Sequence, residues 1–440
     1  ILIVTKSIIT DMSYLVMAIS QKIVHLVRRF SDENWGSTEN VVRHTSQSLV
    51  KHGIATTILS TSALAQTGSD HDCHVSISRF NYFYPNLGLS KAKKNTLDLK
   101  GGNPYSFGLF KALMNVSCRI IHCHTLGRLA ATARIVSKQR NIPYVVTLHS
   151  GLATIPKSEM DQLSETTKGS LNYGKLLDIV TRPDRVVKDA SGIICIGYDE
   201  FLSIKKQFPY KPCLYLPNGV DLDNFKTPQK NEFRQQYNID ANSKLILCVS
   251  RIDTQKNQML LLDLLNGLNK YEEQNYHLLL IGALSNPAYF NALQHRIDQL
   301  QLNHNVTIIP GLAHNSPELV AAYHSADFFI LPSIHEPFGI VVLEAWAAGL
   351  PVITSRVGGL NKLIENNSSG LFFNPYEKSS LIDTFNQLNR DQSLQNKLIK
   401  NGLYQAKTYY SWTNHIQKLL QFYQEVEIWH QSQHTTSLTC

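Results

Sequence analysis

The sequence predicts an α/β fold in which two doubly wound domains follow one another along the chain. Its 440 residues are enough for two domains of ordinary size. Short apolar runs, typical of buried parallel strands, alternate with helix-forming stretches before and after a polar region at 217–242. The composition, 43% hydrophobic and 17% charged with no low-complexity tract, is that of an ordinary soluble α/β protein.

This alternation predicts four segments. They are a leader at 1–21, a first domain at 22–225, a second domain at 226–408, and a C-terminal helix with a tail at 409–440. Lys6 and Asp11 interrupt the apolar start, whereas a transmembrane helix needs ~20 predominantly apolar residues. No clear small-residue cleavage site follows, which leaves a signal peptide as a weakly supported alternative to a disordered or untranslated leader.

The cysteine content and the charge distribution indicate which cellular compartment and which classes of partner to expect. The seven cysteines are scattered singly and are odd in number, which favours free thiols in a reducing compartment such as the cytoplasm. The first 225 residues contain 26 Lys and Arg against 17 Asp and Glu, whereas the remainder contains 16 against 17. A basic first half suits a peripheral contact with an anionic membrane, a lipid-linked phosphate or an acidic glycan, and equally suits a merely solvated face. The basic residues match no recognised nucleic-acid motif, so we expect no nucleic-acid partner.

The strands are predicted from apolar, β-branched runs bounded by polar or turn-forming residues. In the first domain they lie at 22–27, 56–60, 119–124, 143–151 with its exit loop, 192–196 and 212–216, with helices at 41–52 and 130–138. In the second domain they lie at 244–251, 277–281, 305–310, 326–331 and 352–354, with helices at 287–300, 316–324 and 343–348. In such sheets ligands bind outside the carboxyl ends of the strands, so the following loops are the expected positions of functional residues.

Three short patterns invite a metal assignment, which we do not make. His122, Cys123 and His124 end a strand, but neighbouring strand residues point to opposite faces and no further ligand pair at metal spacing accompanies them. Asp-x-Asp occurs at 70–72 and at 221–223, both in a predicted turn or linker, and this pattern alone is weak. We therefore expect neither a metal ion nor a cofactor.

The loop after the first strand contains a candidate phosphate-binding turn. Gly36 and Ser37 come immediately before a predicted helix. A tight turn whose N–H groups approach a phosphate requires the conformational freedom that Gly36 can supply.

The stretch Ser333–Gly359, which follows the pattern of strand exit, loop, helix and strand, organises the second domain. A helix N-terminus that opens from such a loop favours an anion, and Gly339 allows a close backbone approach. Glu336 and Glu344 are separated by eight positions, ~12 Å at most along an ideal helix, which is of the order of a diphosphate with a sugar at each end. Carboxylates accept hydrogen bonds from vicinal sugar hydroxyls, although two glutamates near a helix start are usually ordinary surface residues.

This stretch closely resembles the donor-binding signature of the family-4 retaining glycosyltransferases of the GT-B fold. The resemblance rests on His-Glu-Pro-Phe-Gly at 335–339, the second glutamate, Ala-Ala-Gly-Leu-Pro-Val at 347–352 and Val-Gly-Gly at 357–359. It implies two Rossmann-like domains facing across a cleft, with a C-terminal helix crossing back to the first domain. It also implies transfer of a hexose from a nucleotide sugar to a hydroxyl of a glycan or lipid-linked acceptor, with retention and without a metal.

The resemblance also implies a role for each candidate residue. Arg251 and Lys256, with the backbone amides at Phe338, Gly339 and Ile340, would bind the diphosphate. Glu336 would position the transferred sugar and Glu344 the ribose.

In the first domain the resemblance places His149 beside the reacting centre and Gly36 and Ser37 in the phosphate turn. The family usually has a pair of glycines where this chain has Gly36 and Ser37, so Ser37 departs from the family pattern. A phosphorylase or disaccharide synthase of the same fold remains an alternative, because related enzymes use the same site. The altered glycine pair keeps a second alternative open, a non-catalytic subunit that binds sugar nucleotides.

Overall fold

The computed structural model describes residues 22–31, 37–149, 170–226, 230–271, 274–313 and 316–436. These residues form two compact units, which we describe separately. The predicted leader at 1–21 and the predicted turn residue Gly36 lie outside the described residues.

The first unit is built on an eight-stranded sheet with the strand order β10-β9-β7-β6-β1-β2-β4-β3. Its strands are β1 (Ile23–Arg29), β2 (Thr56–Thr61), β3 (Gly68–Asp72), β4 (Val75–Phe80), β6 (Ile120–Cys123), β7 (Tyr144–Leu148), β9 (Gly192–Cys195) and β10 (Cys213–Tyr215), and a separate two-stranded ribbon joins β5 (Asn86–Leu87) to β8 (Leu171–Asn172). The pairings within the sheet are parallel except for β3, which runs antiparallel to β4.

Helices cover both faces of this sheet. They are α1 (Ser37–Lys51), α2 (Lys91–Lys100), α3 (Phe107–Asn115), α4 (Gly127–Arg140), α5 (Gly174–Thr181), α6 (Val186–Asp189) and α7 (Tyr198–Gln207). Alternate residues of the central strands enter different cores: Val24 and Ile121 pack with α3 and α4, whereas Ile23 and Ile120 pack on the opposite face. A strand buried on both faces must be apolar throughout, which is why these runs could be recognised in the sequence.

The second unit contains a six-stranded parallel sheet with the order β13-β12-β11-β14-β15-β16. Its strands are β11 (Lys244–Val249), β12 (Tyr276–Ile281), β13 (Val306–Ile309), β14 (Phe328–Leu331), β15 (Val352–Ser355) and β16 (Leu371–Phe373). Its helices are α8 (Lys230–Gln236), α9 (Met259–Tyr271), α10 (Pro287–Gln299), α11 (Pro317–Ser325), α12 (Ile340–Ala347), α13 (Leu360–Leu363), α14 (Lys378–Arg390) and α15 (Gln392–Tyr409). The predicted architecture of two doubly wound α/β domains is confirmed.

The last helix, α16 (Trp412–Thr436), returns the chain to the first unit. From His415 onward it belongs to that unit, and Ile416, Leu419 and Phe422 pack against the face of the sheet that carries Ile23. The predicted return of the C-terminal helix to the first domain is therefore confirmed.

The division between the units lies at Pro217–Asn218 rather than at the predicted Phe225. Residues that follow Pro217 are tied to the second unit, since the Val220 N–H donates to the carbonyl of Tyr410 at 2.8 Å and the Phe225 ring lies edge-on to Tyr323. The sequence carried no sign of these contacts because their partners lie about 190 and 100 residues further along the chain.

The predicted location of residues 70–72 in a turn or linker is wrong, because these residues form most of strand β3. The two aspartates of this strand form ion pairs with arginines. Asp72 pairs with Arg43 at 2.9 Å, and Asp70 lies 3.7 Å from Arg79. The strand was missed because it is an exposed, polar edge without apolar alternation. Among the described helices, none combines the length and the apolarity that crossing a bilayer requires.

Candidate active site

The loop after β11 brings a cation and a buried acid together at the carboxyl end of the second sheet. Arg251 is half exposed, and its guanidinium donates to Gln255 at 3.0 Å and lies 3.4 Å from the carboxylate of Asp253. Asp253 is buried and accepts from the backbone N–H of Lys256 at 3.1 Å, which closes the turn that leads to α9. Asp253 therefore shapes the loop, while the exposed Arg251 can reach a ligand.

Lys256 and Glu336, which are 80 residues apart in the sequence, form an ion pair with an Nζ–Oε2 distance of 2.6 Å. Both side chains are largely buried, and Glu336 is only 9% exposed. An ammonium carries three donors, so Lys256 can keep this contact and still donate to an oxyanion. Breaking such a buried pair is costly because it leaves one charge without a partner, so we expect each residue to hold the other in place.

Two glycines keep the loop of Glu336 in position. The N–H of Gly359 donates to the carbonyl of Glu336 at 2.8 Å. A β-carbon at Gly358 would lie 2.4 Å from the Glu336 carbonyl oxygen, and one at Gly359 would lie 2.0 Å from that of Pro337. Because both obstacles are backbone atoms, larger residues would displace the loop, which explains the Gly-Gly dipeptide of the organising stretch.

The N-terminus of α12 opens directly from this loop. Gly339 precedes the helix with φ 95°, a left-handed conformation that favours glycine, and Phe338 before it is buried. No side chain within the described residues caps the helix, so the amides around Ile340 have neither intrahelical nor side-chain partners. The macrodipole makes such an end attractive to an anion.

Glu344 lies one turn into α12 and is only 4% exposed. Its Oε2 accepts a hydrogen bond from the hydroxyl of Tyr323 at 2.6 Å. Burial raises the pKa of Tyr323 well above its usual value, and the neighbouring carboxylate adds to that effect, so the phenol stays protonated and donates. Neither Glu336 nor Glu344 is a solvated surface residue, which excludes the ordinary interpretation of this pair.

In the first unit, histidines lie on or directly after three neighbouring strands, β1, β6 and β7. His25 on β1 is in register with His122 on β6, and His124 follows two residues later on the same face. His122 bonds with the hydroxyls of Thr147 at 2.6 Å and of Tyr423 at 2.7 Å. All three histidines are buried, and their potential ligand atoms lie within 4.8 Å of one another.

His149, predicted at the reacting centre, joins this cluster through His124, with Nε2 3.0 Å from His124 Nδ1. Burial lowers the pKa of His149 to about 4, with a smaller contribution from His415. His149 is only partly exposed and is neutral near pH 7. It can therefore offer a hydrogen bond without carrying a charge.

The structure thus brings six of the predicted residues together in the second unit, namely Arg251, Lys256, Glu336, Phe338, Gly339 and Ile340, with Glu344 in the same helix. In the first unit, Ser37 begins α1, and Gly36 lies outside the described residues. Asp253, Tyr323 and His25 were not predicted from the sequence. Asp253 lay between two selected cations, and His25 occupied a predicted strand, so these two offered a signal; Tyr323, inside a helix, offered none.

Comparison with known proteins places both halves in one class. Residues 38–224 match the family described as Glycosyltransferase Family 4, and residues 229–404 match Glycosyl transferases group 1. The D-inositol 3-phosphate glycosyltransferase of Pseudarthrobacter chlorophenolicus is 31% identical over 210 residues, 47% of this chain and 49% of that protein. An uncharacterised glycosyltransferase of Methanocaldococcus jannaschii is 31% identical over 191 residues, 43% of this chain and 47% of that protein. The chain spans about half the length of these curated relatives.

Among solved structures, Anabaena HepE in complex with UDP and glucose has a similar fold. The TM-score is 0.67 at 18% sequence identity, over 91% of this chain and 98% of HepE. At this identity the likeness concerns the fold.

Proposed function

Since the chain belongs to the family-4 glycosyltransferases and has their GT-B fold, we propose that it transfers a hexose-type sugar from a nucleotide sugar to an acceptor hydroxyl, with retention of the anomeric configuration. The acceptor is a glycan or a lipid-linked molecule. The observation that supports this proposal best is the Lys256–Glu336 pair beside the uncapped N-terminus of α12. A cation, a carboxylate and free amides are the groups that a diphosphate joined to a sugar requires.

In the proposed reaction, the bond between the anomeric carbon and the diphosphate oxygen breaks while the acceptor oxygen bonds to that carbon on the same face. The acceptor proton passes to the departing diphosphate, so the products are a nucleoside diphosphate and a glycoside. Arg251 and Lys256 stabilise the charge that develops on the leaving oxygen, with the amides at Phe338, Gly339 and Ile340. Such preorganised contacts stabilise the transition state more than the ground state, and that difference accelerates the reaction.

The remaining side chains orient the donor. Glu336 accepts from hydroxyls of the transferred sugar, and Glu344 from the ribose. His149 contacts the sugar at the reacting centre, and Gly36 and Ser37 form a backbone turn toward a phosphate. None of these roles calls for a metal ion or another cofactor, because the charge of the leaving group is neutralised by side chains.

The test is release of nucleoside diphosphate by wild type, Lys256→Ala and Lys378→Ala. Lys378 also pairs with a carboxylate of the second unit, Asp263 at 2.7 Å, but is largely exposed, so it is a matched control. We expect Lys256→Ala to lower kcat by about 10²-fold or more, as loss of one preorganised contact typically does. Turnover of Lys256→Ala close to wild type would refute the assignment.

UDP-glucose is the first donor to screen by thermal shift, because HepE was solved with UDP and glucose. Products separate the remaining functions. Sugar phosphate in place of nucleoside diphosphate would identify a phosphorylase, whereas a free disaccharide would identify a disaccharide synthase. Donor binding without transfer or hydrolysis would identify a binding subunit.

We also propose that the first unit contacts an anionic membrane from the cytoplasmic side, where a lipid-linked acceptor would be presented. One face of α5 supports this proposal, because Leu176, Ile179 and Val180 are 67%, 69% and 75% exposed. They lie at helical spacing beside the exposed Lys175. A helix that exposes large apolar residues next to a cation, in a unit with excess positive charge, suits a surface of anionic lipid.

Sedimentation with vesicles tests this contact. Wild type should bind phosphatidylglycerol vesicles better than phosphatidylcholine vesicles, and Ile179→Glu should lose most of that binding. Leu202→Glu, at a half-exposed position on α7 of the same unit, is the control and should bind as wild type does. Equal binding by Ile179→Glu and wild type would rule out this face.

A further inference from the structure

Three histidines of the first unit form a continuous hydrogen-bonded chain that ends at His149. Nδ1 of His25 lies 2.8 Å from Nε2 of His124, and Nδ1 of His124 lies 3.0 Å from Nε2 of His149. The rings of His25 and His124 have centroids 5.0 Å apart, and those of His124 and His149 are 5.3 Å apart. This histidine chain runs from His25, which is buried in the sheet, to His149, which is only partly buried.

Burial keeps these rings neutral. It lowers the pKa of His25 to about 3 and that of His149 to about 4, and it lowers the pKa of His124 well below its usual value. A neutral imidazole has one N–H and one lone pair, and a hydrogen bond between two such rings uses one of each. Because His124 bonds at both nitrogens, it must donate to one neighbour and accept from the other.

Only two proton arrangements satisfy both bonds. Either all three rings are protonated on Nδ1, and His25 donates to His124, which donates to His149. Or all three are protonated on Nε2, and the donations run in the opposite direction. The two arrangements differ at the ends of the histidine chain. The first leaves a lone pair on His25 Nε2 and an N–H on His149 Nδ1, and the second leaves the reverse.

The buried end of the chain decides between them. Nε2 of His25 is buried and has no hydrogen-bond partner among the described residues. The second arrangement would leave an N–H there without an acceptor, whereas the first leaves only a lone pair. Orphaned buried N–H groups are rarer in proteins than under-satisfied acceptors, so the first arrangement is favoured.

We propose that His25 and His124 are positioning residues that fix His149 as its Nδ1–H tautomer, so that His149 donates a hydrogen bond to an oxygen of the bound sugar. The contact with sugar rests on the proposed function, but the tautomer does not. In this arrangement His149 has no lone pair facing the substrate and does not act as a base. The acceptor proton then goes to the leaving diphosphate, as the proposed reaction requires.

The same cluster could be interpreted as a metal site, but all of its ring nitrogens except Nε2 of His25 are already used in hydrogen bonds. His122 bonds at both nitrogens with hydroxyls, and His124 bonds at both with other imidazoles. A metal ion would have to replace most of these hydrogen bonds. The cluster is therefore better described as a hydrogen-bonded chain than as a set of metal ligands.

The test is ¹⁵N NMR of the imidazoles in the histidine-labelled full chain near pH 7.5, without substrate and after dialysis against EDTA. Protonated and unprotonated ring nitrogens have distinct chemical shifts. We expect His149 to show a protonated Nδ1 and an unprotonated Nε2. A protonated Nε2, or release of a stoichiometric metal ion with altered shifts of His25, His122 and His124, would overturn the proposal.

Variants of His25 test whether the histidine chain determines the tautomer of His149. In His25→Phe the His149 shifts should move toward a mixture of both tautomers, whereas in His25→Asn an amide N–H can stand in for Nδ1–H and should restore them. Tyr423→Phe is the control, because it removes a buried hydroxyl from His122 without touching the chain. Unchanged His149 shifts in His25→Phe would overturn the proposal.

Kinetics complete the test. His25→Phe should lower kcat in proportion to the fraction of His149 that no longer carries Nδ1–H, about twofold for an equal mixture of tautomers, with little change in KM for the donor. His25→Asn should recover most of it. A correct tautomer without any glycosyl transfer would refute the proposed function and leave the tautomer assignment in place, so the two failures are distinguishable.

Discussion

Each unit contains a cluster of polar side chains on its strands or in the loops that follow them, and the two clusters differ in charge. In the second unit they are ionic, with Lys256 paired to Glu336 and Arg251 beside Asp253. In the first unit the cluster formed by His25, His124 and His149 consists of imidazoles that burial keeps neutral. Charge suits a diphosphate, whereas neutral hydrogen-bonding groups suit a sugar, and this is the division of roles in the proposed function.

The contrast predicts that acid destabilises the two units unequally. Burial lowers the folded-state pKa of five histidines of the first unit, His25, His122, His124, His149 and His415, against His277 in the second. The unfolded chain takes up protons as the pH falls below about 6.5, whereas the folded His149 and His415 take them up only near pH 4 and His25 only near pH 3. Stability present above pH 6.5 is therefore lost between about pH 6.5 and 4, by about 1.4 kcal/mol per pH unit for each histidine.

Hydrogen exchange measured by mass spectrometry at pH 7 and pH 5, corrected for intrinsic rates, checks this expectation. Peptides from β1, β6 and β7 should lose more protection than those from β11 and β12. Greater loss in the second unit would contradict the buried neutral state of the histidines.

The second prediction concerns a substitution that displaces the loop of Glu336 without removing a charged residue. Gly359 has an ordinary helical backbone with φ −65°, so Gly359→Ala costs nothing in backbone conformation, but its β-carbon would lie 2.0 Å from the Pro337 carbonyl oxygen. The loop that holds Glu336 must shift. A displacement of about 1 Å can cost about 10²-fold, and we expect kcat/KM to fall by that order.

Gly267→Ala is the matched control, since Gly267 lies within α9 and a β-carbon there would have no atom of another described element within 4 Å. It should keep full activity and gain about 0.5–1 kcal/mol of stability, because alanine is the better helix former. Equal activities of Gly359→Ala and Gly267→Ala would show that loop placement is unimportant.

The charged site could largely be predicted because its main residues are close in sequence. Glu336, Gly339 and Glu344 belong to one stretch, and the strand that precedes them is an apolar run buried on both faces. The pairing of Lys256 with Glu336 was not predicted, since it depends on β11 and β14 being neighbours in the sheet. Sequence patterns indicate strands, but the order of the strands decides which loops meet.

The histidine chain could not be assembled from the sequence for the same reason. His25 and His124 are 99 positions apart and meet because β1 pairs with β6 in register. The spacing of two between His122 and His124 is typical of residues on one face of a strand. Only the pairing register of β1 and β6 shows that His25 lies beside them. Strand β16 was also not predicted from the sequence.

The smallest expected effect concerns Tyr323, which touches no substrate in the proposed function. Its hydroxyl donates to Glu344, so Tyr323→Phe should leave the carboxylate in place but less well oriented toward the ribose. We expect KM for the donor to rise about tenfold, the value of a hydrogen bond to a charged group of ~1.5 kcal/mol, with kcat little changed. Tyr423→Phe removes an equally buried hydroxyl in the first unit and should leave donor KM unchanged. A fall in kcat at constant KM in Tyr323→Phe would instead place Glu344 in the chemical step, and the ribose role would have to be abandoned.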